Sequence, residues 1–139
     1  MPKPYSSEQL SQLTAYRFDE RLAVFGSLRP GACNFHLLKP LGGIWFTGWV
    51  SGILEQRGWA AAQGYPGIRL MSGQKVNVDL LCSHSLPKFW PKLDEFEGSD
   101  YRRVTTIVRI AETAACGQIY ELRPEIDSSN RVARPFVDV

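Results

Sequence analysis

The sequence predicts one domain in which a curved sheet or small barrel is accompanied by few helices. A length of 139 residues is enough for one sizeable hydrophobic core and short for two. Strand patterns recur along most of the chain, whereas residues 85–97 are the one clear helix candidate. The longest strand segment, residues 44–54, contains Gly48 and Gly52, and glycines inside a strand mark bulges or sharp bends. We therefore expect that strand to coil around a small barrel or a curved sheet.

The elements before this strand are short. Residues 7–16 combine a plausible cap with a leucine pair, which predicts a short helix or an ordered arm. Residues 21–25 form an apolar run stopped by Gly26, which is typical of a buried strand that ends in a loop. Residues 34–38 predict one or two helical turns.

Four further strands are predicted, at residues 67–70, 75–82, 103–110 and 116–122. Alternation is clearest in the third of them, which places one set of side chains on a single face: Val104, Thr106, Val108 and Ile110. The loop at residues 112–115 allows an antiparallel return. Residues 123–139 predict an extended tail, so a single domain spans residues 1–139, with its core at about 21–122.

Composition excludes several classes of protein. A hydrophobic fraction of 44% and a net charge of +2 are ordinary for a globular protein and predict neither a nucleic acid nor a membrane as partner. No apolar run has transmembrane length and no secretory signal is present, so we expect a cytoplasmic location. Three cysteines and two histidines show neither disulfide nor metal-site spacing, so we expect no metal.

The helix candidate singles out one carboxylate. Pro87 and Pro91 are expected to confine the regular part to its later half, with Pro91 in the first turn. A helical arrangement then puts four side chains on one apolar arc: Phe89, Trp90, Leu93 and Phe96. Glu97 falls inside that arc, Asp94 lies at its edge, and Glu95 points to the opposite side. Glu97 is therefore predicted to face the interior.

A carboxylate so placed is suited to proton transfer. Desolvation and the negative end of the helix dipole both raise its pKa, which prepares a general acid or base. A structural role remains open at this point, because a cap or a pairing with Arg102 or Arg103 would also fit.

The loop after the first strand indicates an anion site. A glycine lets the backbone approach a ligand, and successive amides at Gly26, Ser27 and Leu28 would form a concave donor surface. An ordinary turn is the alternative. Neither the dinucleotide-binding fingerprint, the P-loop nor the nucleophile elbow of serine hydrolases is present.

Four segments together resemble one known family. They read LAVFGSLRPG at 22–31, GYPG at 64–67, LDEFEG at 93–98 and YRRV at 101–104. This order and spacing resemble the gamma-glutamylcyclotransferase-like family, in its gamma-glutamylamine cyclotransferase (AIG2-like) branch. The resemblance implies an α+β fold, with a small, mostly antiparallel barrel-like sheet and a few peripheral helices.

The resemblance also implies an activity. Characterised members release 5-oxoproline from gamma-glutamyl compounds, by attack of the substrate's own α-amine on its side-chain carbonyl, without a metal or organic cofactor. Glu97 would be the catalytic acid/base, and Tyr101 would line the substrate pocket. The glutamyl moiety would be held by the loop that contains Phe25, Gly26, Ser27 and Leu28. Arg102 and Arg103 are expected to be exposed strand residues.

Two departures from the family pattern leave alternatives. Phe25 replaces a tyrosine, and Val78 replaces a glycine, which is expected to narrow or reshape the pocket. Loss of the tyrosine hydroxyl favours a non-catalytic module that binds a small ligand, whereas retention of Glu97 favours an enzyme. A third possibility is cyclisation of a different acylated amine. The leaving group and the oligomeric state are left open.

Overall fold

A computed structural model of the chain describes residues 5–59 and 61–124. It contains two α-helices and six strands: α1 (Ser7–Ser11), α2 (Leu86–Glu97), β1 (Arg21–Val24), β2 (Ile44–Glu55), β3 (Gly67–Leu70), β4 (Gln74–Cys82), β5 (Tyr101–Ile110) and β6 (Thr113–Leu122). Short 3₁₀ turns connect several of them. The predicted tail, from residue 125 onward, lies outside the described residues.

The strands form a closed barrel. The sheet order is β3-β2-β4-β1-β6-β5, and β5 pairs back with β2, so five strands close a ring and β3 extends it at one side. Neighbouring strands are antiparallel apart from β1 and β6, which run parallel. The α+β fold with a mostly antiparallel barrel-like sheet is confirmed. No helix in the described ranges is long and apolar enough to cross a membrane.

Glycines allow β2 to pair with three neighbouring strands, β3, β4 and β5. Gly48 lies at the point where β2 meets β5, and a Cβ atom there would overlap the carbonyl oxygen of Arg109. At Gly52, where β3 pairs, a Cβ would lie 2.9 Å from the carbonyl oxygen of Arg69. Both positions need glycine because another backbone approaches closely. The prediction of a single coiled strand is confirmed.

Two apolar clusters pack on opposite faces of the barrel wall. Alternate residues of β4, from Val76 to Cys82, enter the first cluster, and Leu81 on the other face enters the second. The barrel interior includes Val50, Val78, Leu80, Val108, Ile110 and Ile119. The second cluster lies between the wall and α2, and includes Leu22, Leu81, Leu86, Trp90, Leu93 and Leu122. This second cluster fixes the face that α2 turns toward the barrel.

The start of α2 differs from the sequence prediction. The helix begins at Leu86, so Pro87 and not Pro91 occupies the first turn, and Pro91 lies inside the helix. An interior proline removes one backbone hydrogen bond. Burial of Leu86 and Trp90, which are 0% and 6% exposed, offsets that loss because both side chains pack in the second cluster.

The connection between β5 and β6 is also tighter than predicted. Ile110 pairs with Thr113, so the turn consists of Ala111 and Glu112 and not of residues 112–115. Ala111 adopts a φ of +52°, a conformation that sequence patterns assign to glycine or asparagine. Because neither turn residue is a glycine or an asparagine, the sequence pattern does not mark this turn.

Candidate active site

A cleft opens where β1 ends, beside the last turn of α2. Its open volume is about 440 Å³, which includes solvent at the mouth. The cleft brings together all six residues that the sequence nominated: Phe25, Gly26, Ser27, Leu28, Glu97 and Tyr101. Segments far apart in sequence thus meet in one concave surface.

Glu97 is the last residue of α2 and its side chain is half-buried in this cleft. Burial removes water from the carboxylate and raises its pKa from 4.5 to about 7. Within residues 5–59 and 61–124, no side chain or backbone group forms a hydrogen bond or an ion pair with that carboxylate. It is therefore poised to gain or lose a proton near neutral pH.

Neither neighbouring arginine neutralises Glu97. Arg102 forms an ion pair with Glu121 at 3.1 Å, and Arg103 forms one with Asp94 at 2.9 Å. Arg102 is exposed as expected, whereas Arg103 is half-buried because its guanidinium lies 4.4 Å over the Trp90 ring. The alternative in which Glu97 pairs with one of these arginines is thereby removed.

The pKa values of Asp94 and Glu97 are shifted in opposite directions although the two residues lie one helical turn apart. Desolvation acts to raise the pKa of Asp94, but hydrogen bonds from Arg103 and Tyr120 outweigh it, and the pKa falls below its usual value. The Tyr120 hydroxyl donates to Asp94 at 2.6 Å. Two carboxylates whose environments separate their pKa values in this way take different roles. Asp94 stays ionised and holds the helix, while Glu97 remains able to titrate.

The loop after β1 is held in shape by its own residues. Asn34 Nδ2 donates to the Ser27 hydroxyl at 3.0 Å, and the Asn34 amide donates to the Ser27 carbonyl at 2.8 Å. Arg29 ties the loop to β4 through Asp79, with 2.8 Å between Nε and Oδ2. In the described part of the chain, the amides of Gly26, Ser27 and Leu28 donate to no protein acceptor. The three residues line the cleft, and amides without a protein acceptor are suited to bind an anionic group.

One expectation about the shape of the cleft is wrong. Val78 is fully buried in the barrel interior and does not line the cleft, so it does not narrow it. Phe25, the other departure, does line the cleft and is half-buried there. The missing tyrosine hydroxyl is therefore a change within the site, whereas the valine is a change in the core.

Sequence reasoning missed several lining residues. Tyr65 and Pro66 belong to a segment that carried the resemblance, but they were not assigned to the site. Tyr120 reaches the cleft from β6, and Trp59 reaches it from the loop after β2. Trp59 also donates through Nε1 to the backbone carbonyl of Glu97 at 2.9 Å. No motif marks Trp59 or Tyr120, since each is an isolated aromatic residue outside the four segments that carried the resemblance.

Metal binding has no support among the residues described. No group of three or more histidine, cysteine, aspartate or glutamate side chains is arranged there to hold an ion. Glu97 is the one carboxylate among the described residues that line the cleft.

A small barrel with a cleft built around one titratable carboxylate is the class that this fold and site define. Comparison with protein-family models matches residues 22–135 to gamma-glutamyl cyclotransferase, AIG2-like. The match covers most of the chain, and the protein therefore belongs to that family. The family supports a cyclotransferase-type function in general. A comparison with curated protein sequences gives no match.

Solved structures support the same fold. An AIG2-like protein from Mus musculus is 18% identical, with a TM-score of 0.59 over 78% of this chain and 80% of the mouse chain. YkqA from Bacillus subtilis is 22% identical with a TM-score of 0.59, over 86% of this chain and 42% of YkqA. An Arabidopsis thaliana protein is 15% identical with a TM-score of 0.60, over 86% and 83% of the two chains. At these identities the likeness concerns the fold alone.

Proposed function

We propose that this protein is an enzyme of the gamma-glutamyl cyclotransferase type, which releases 5-oxoproline from a gamma-glutamyl amine, amino acid or peptide. The observation that carries the proposal is the Glu97 carboxylate. It lies in a cleft, has a pKa near 7, and has no protein partner among the described residues. Family membership supports the same reaction class.

In the proposed reaction Glu97 moves protons from the attacking nitrogen to the leaving nitrogen. The ionised carboxylate takes a proton from the substrate's α-ammonium, and the free amine attacks the γ-carbonyl carbon to form a new C–N bond. Glu97 then passes this proton to the leaving nitrogen, and the original C–N bond breaks. The attacking nitrogen gives up a second proton as it becomes the lactam N–H, and the released amine takes up that proton. The products are 5-oxoproline and an ammonium ion, with no net change in protons or electrons. A carboxyl group with a pKa near 7 suits both steps, and such catalysis contributes about 10² to 10⁴ in rate.

The loop after β1 would bind the charged part of the substrate. Asn34 bonds both the hydroxyl and the carbonyl of Ser27, and so holds the loop that carries the amides of Gly26, Ser27 and Leu28. They would donate to the substrate carboxylate or to the oxyanion that develops on the γ-carbonyl. Preorganised donors of this kind stabilise the transition state without a reorganisation cost.

The aromatic walls would fold the substrate. Both reacting groups belong to one molecule, so the enzyme needs only to hold the chain in a cyclic conformation. Tyr65, Tyr101 and Tyr120 line the same cleft as the Glu97 carboxylate and would form its walls. The reaction as written requires no metal or organic cofactor.

A second candidate function is ligand binding without turnover on the same fold. Phe25 favours it, because a phenyl ring in the cleft supplies no hydroxyl to the loop or ligand. The environment of the two carboxylates favours catalysis instead. Asp94 is paired with Arg103, whereas Glu97 keeps a raised pKa and can exchange a proton with a substrate.

The experiment is a mass-spectrometric screen for 5-oxoproline after incubation with gamma-glutamyl amines, amino acids and peptides. The matched pair of variants is Glu97→Gln and Glu95→Gln, because Glu95 is exposed on the same helix. Product formed by the wild type and Glu95→Gln, but reduced at least about 100-fold in Glu97→Gln, supports the proposal. A folded wild type that binds gamma-glutamyl ligands without product favours the binding module. Equal activity in both variants refutes the role of Glu97.

A further inference from the structure

Trp59 holds the end of the helix that carries Glu97. Its indole Nε1 donates to the Glu97 carbonyl oxygen at 2.9 Å, and its ring packs edge-to-face on Phe96 with 5.2 Å between centroids. One side chain therefore contacts the last two residues of α2. It does so from the loop that follows β2, which is remote from the helix in sequence.

The end of a helix needs such a partner. The last four carbonyl groups of a helix accept no hydrogen bond from within the helix, and helix ends without partners fray. At α2 the chain turns away at Gly98, whose φ is +80°, and the Gly98 amide returns to the Asp94 carbonyl at 3.1 Å. The Trp59 bond satisfies another of these terminal carbonyls, that of Glu97 itself. The position of the Glu97 side chain depends on this final turn.

The loop that bears Trp59 is itself anchored. Arg57 pairs with Glu55 at 2.8 Å and donates to the Arg123 carbonyl at 2.9 Å, which joins the loop to the chain beyond β6. Gly58 has a φ of +96°, and a Cβ atom there would overlap the Tyr101 hydroxyl. The backbone next to Trp59 thus rests against a wall of the cleft.

Trp59 also lines the cleft in which Glu97 lies. The titratable groups that face Glu97 there are Tyr65 from the loop before β3, Tyr101 from β5 and Tyr120 from β6. On its own helix, the charge of Asp94 is paired with Arg103. None of these described groups supplies a positive charge to the Glu97 carboxylate. Its pKa is therefore set by the removal of water around the carboxylate.

We propose that Trp59 is a positioning residue for Glu97, which fixes the backbone of Glu97 through the indole N–H and excludes water from the carboxylate through the ring. The inference rests on the proposed function for its catalytic consequence. The structural part of the inference is that Trp59 controls the location and the ionisation of Glu97. This part does not depend on any substrate.

Two variants separate the two contributions. Trp59→Phe keeps an aromatic ring and removes the N–H, so kcat is expected to fall about threefold to tenfold while KM changes little. Trp59→Ala removes the ring as well, so the pKa of Glu97 is expected to fall from about 7 by about one unit or more. Trp49→Phe is the matched control, because Trp49 packs against Lys75 and Arg109 on the barrel and does not line the cleft.

The first readout is the pH titration of the Glu97 side-chain carboxyl carbon by NMR, assigned by its loss in Glu97→Gln. A lowered pKa in Trp59→Ala, with Trp49→Phe like the wild type, supports the proposal. A pKa that stays at about 7 in folded Trp59→Ala overturns it. This titration needs no substrate, so a failed 5-oxoproline screen would refute the proposed function and leave the test of Trp59 intact.

The second readout covers the case in which Trp59→Ala does not fold. In Trp59→Phe, loosening of the last turn is expected to accelerate hydrogen exchange at the Gly98 amide several-fold, about threefold or more. Faster exchange together with a lower kcat supports the role of the indole N–H. Exchange and kcat both equal to the wild type overturn it.

Discussion

Replacement of Glu97 by glutamine is predicted to stabilise the fold at neutral and alkaline pH. The side chain is half-buried and unpaired among the described residues, so its ionised form is disfavoured in the folded state. A folded-state pKa above the unfolded value means that the folded protein holds this proton more tightly. The stability associated with the group is complete below about pH 4.5 and is lost as the pH rises through about 7. Glutamine carries no such penalty.

The magnitude follows from the shift in pKa. The pKa of Glu97 rises from 4.5 to about 7 through desolvation. Each pKa unit corresponds to about 1.4 kcal/mol, so the ionised carboxylate costs at most about 3.4 kcal/mol. Water in the open cleft screens part of this cost, which leaves about 2 kcal/mol. A domain with a total stability of about 5 to 15 kcal/mol would show this difference clearly.

The assay is urea unfolding of the wild type, Glu97→Gln and Glu95→Gln across the range from about pH 4.5 to pH 8. The free energy of unfolding of Glu97→Gln should exceed that of the wild type by about 2 kcal/mol at pH 8, and the gap should close toward pH 4.5. Glu95→Gln should follow the wild type, because Glu95 is exposed. A gap that does not change with pH would refute the view that Glu97 is desolvated.

Three further predictions concern the frame of the site. Gly48→Ala should destabilise the fold by about 2 kcal/mol or more in thermal unfolding, because its Cβ would overlap the Arg109 carbonyl where the barrel closes; an unchanged Tm would contradict this. Tyr120→Phe removes the hydroxyl that donates to Asp94, so stability should fall by about 1 to 2 kcal/mol; a neutral result in urea unfolding would show that the bond is dispensable. Arg29→Met unties the loop after β1 from β4, so KM should rise more than kcat falls; a loss of kcat alone would argue against a binding role of this loop.

Much of the barrel was predictable because its signals are local. Each strand has an apolar pattern bounded by glycine, proline or polar residues, and the two glycines of β2 mark where other backbones approach. Helical periodicity alone placed Glu97 on the inner face of α2, since the apolar arc around it is dense. These features need no knowledge of distant contacts.

The remaining details depend on tertiary contacts that the sequence does not encode locally. Pro91 is tolerated inside α2 because buried neighbours hold the helix on the barrel. Ala111 takes a left-handed conformation because the strands on both sides fix the turn. Tyr120 reaches the cleft because the barrel closes through β6, and Trp59 reaches it because of the path of the loop after β2. The register of β4 against β2 directs Val78 into the core, and this register is set by contacts between strands distant in sequence.

The most direct test of the central claim is the pH dependence of 5-oxoproline release by the wild-type protein. Glu97 must be ionised to accept the proton of the α-ammonium, so kcat/KM for the best substrate of the panel should fall below an apparent pKa of about 7. In Glu95→Gln the same profile should persist. A kcat/KM that stays constant down to about pH 5, or an activity that Glu97→Gln retains, would contradict the assignment of Glu97 as the acid/base of this site.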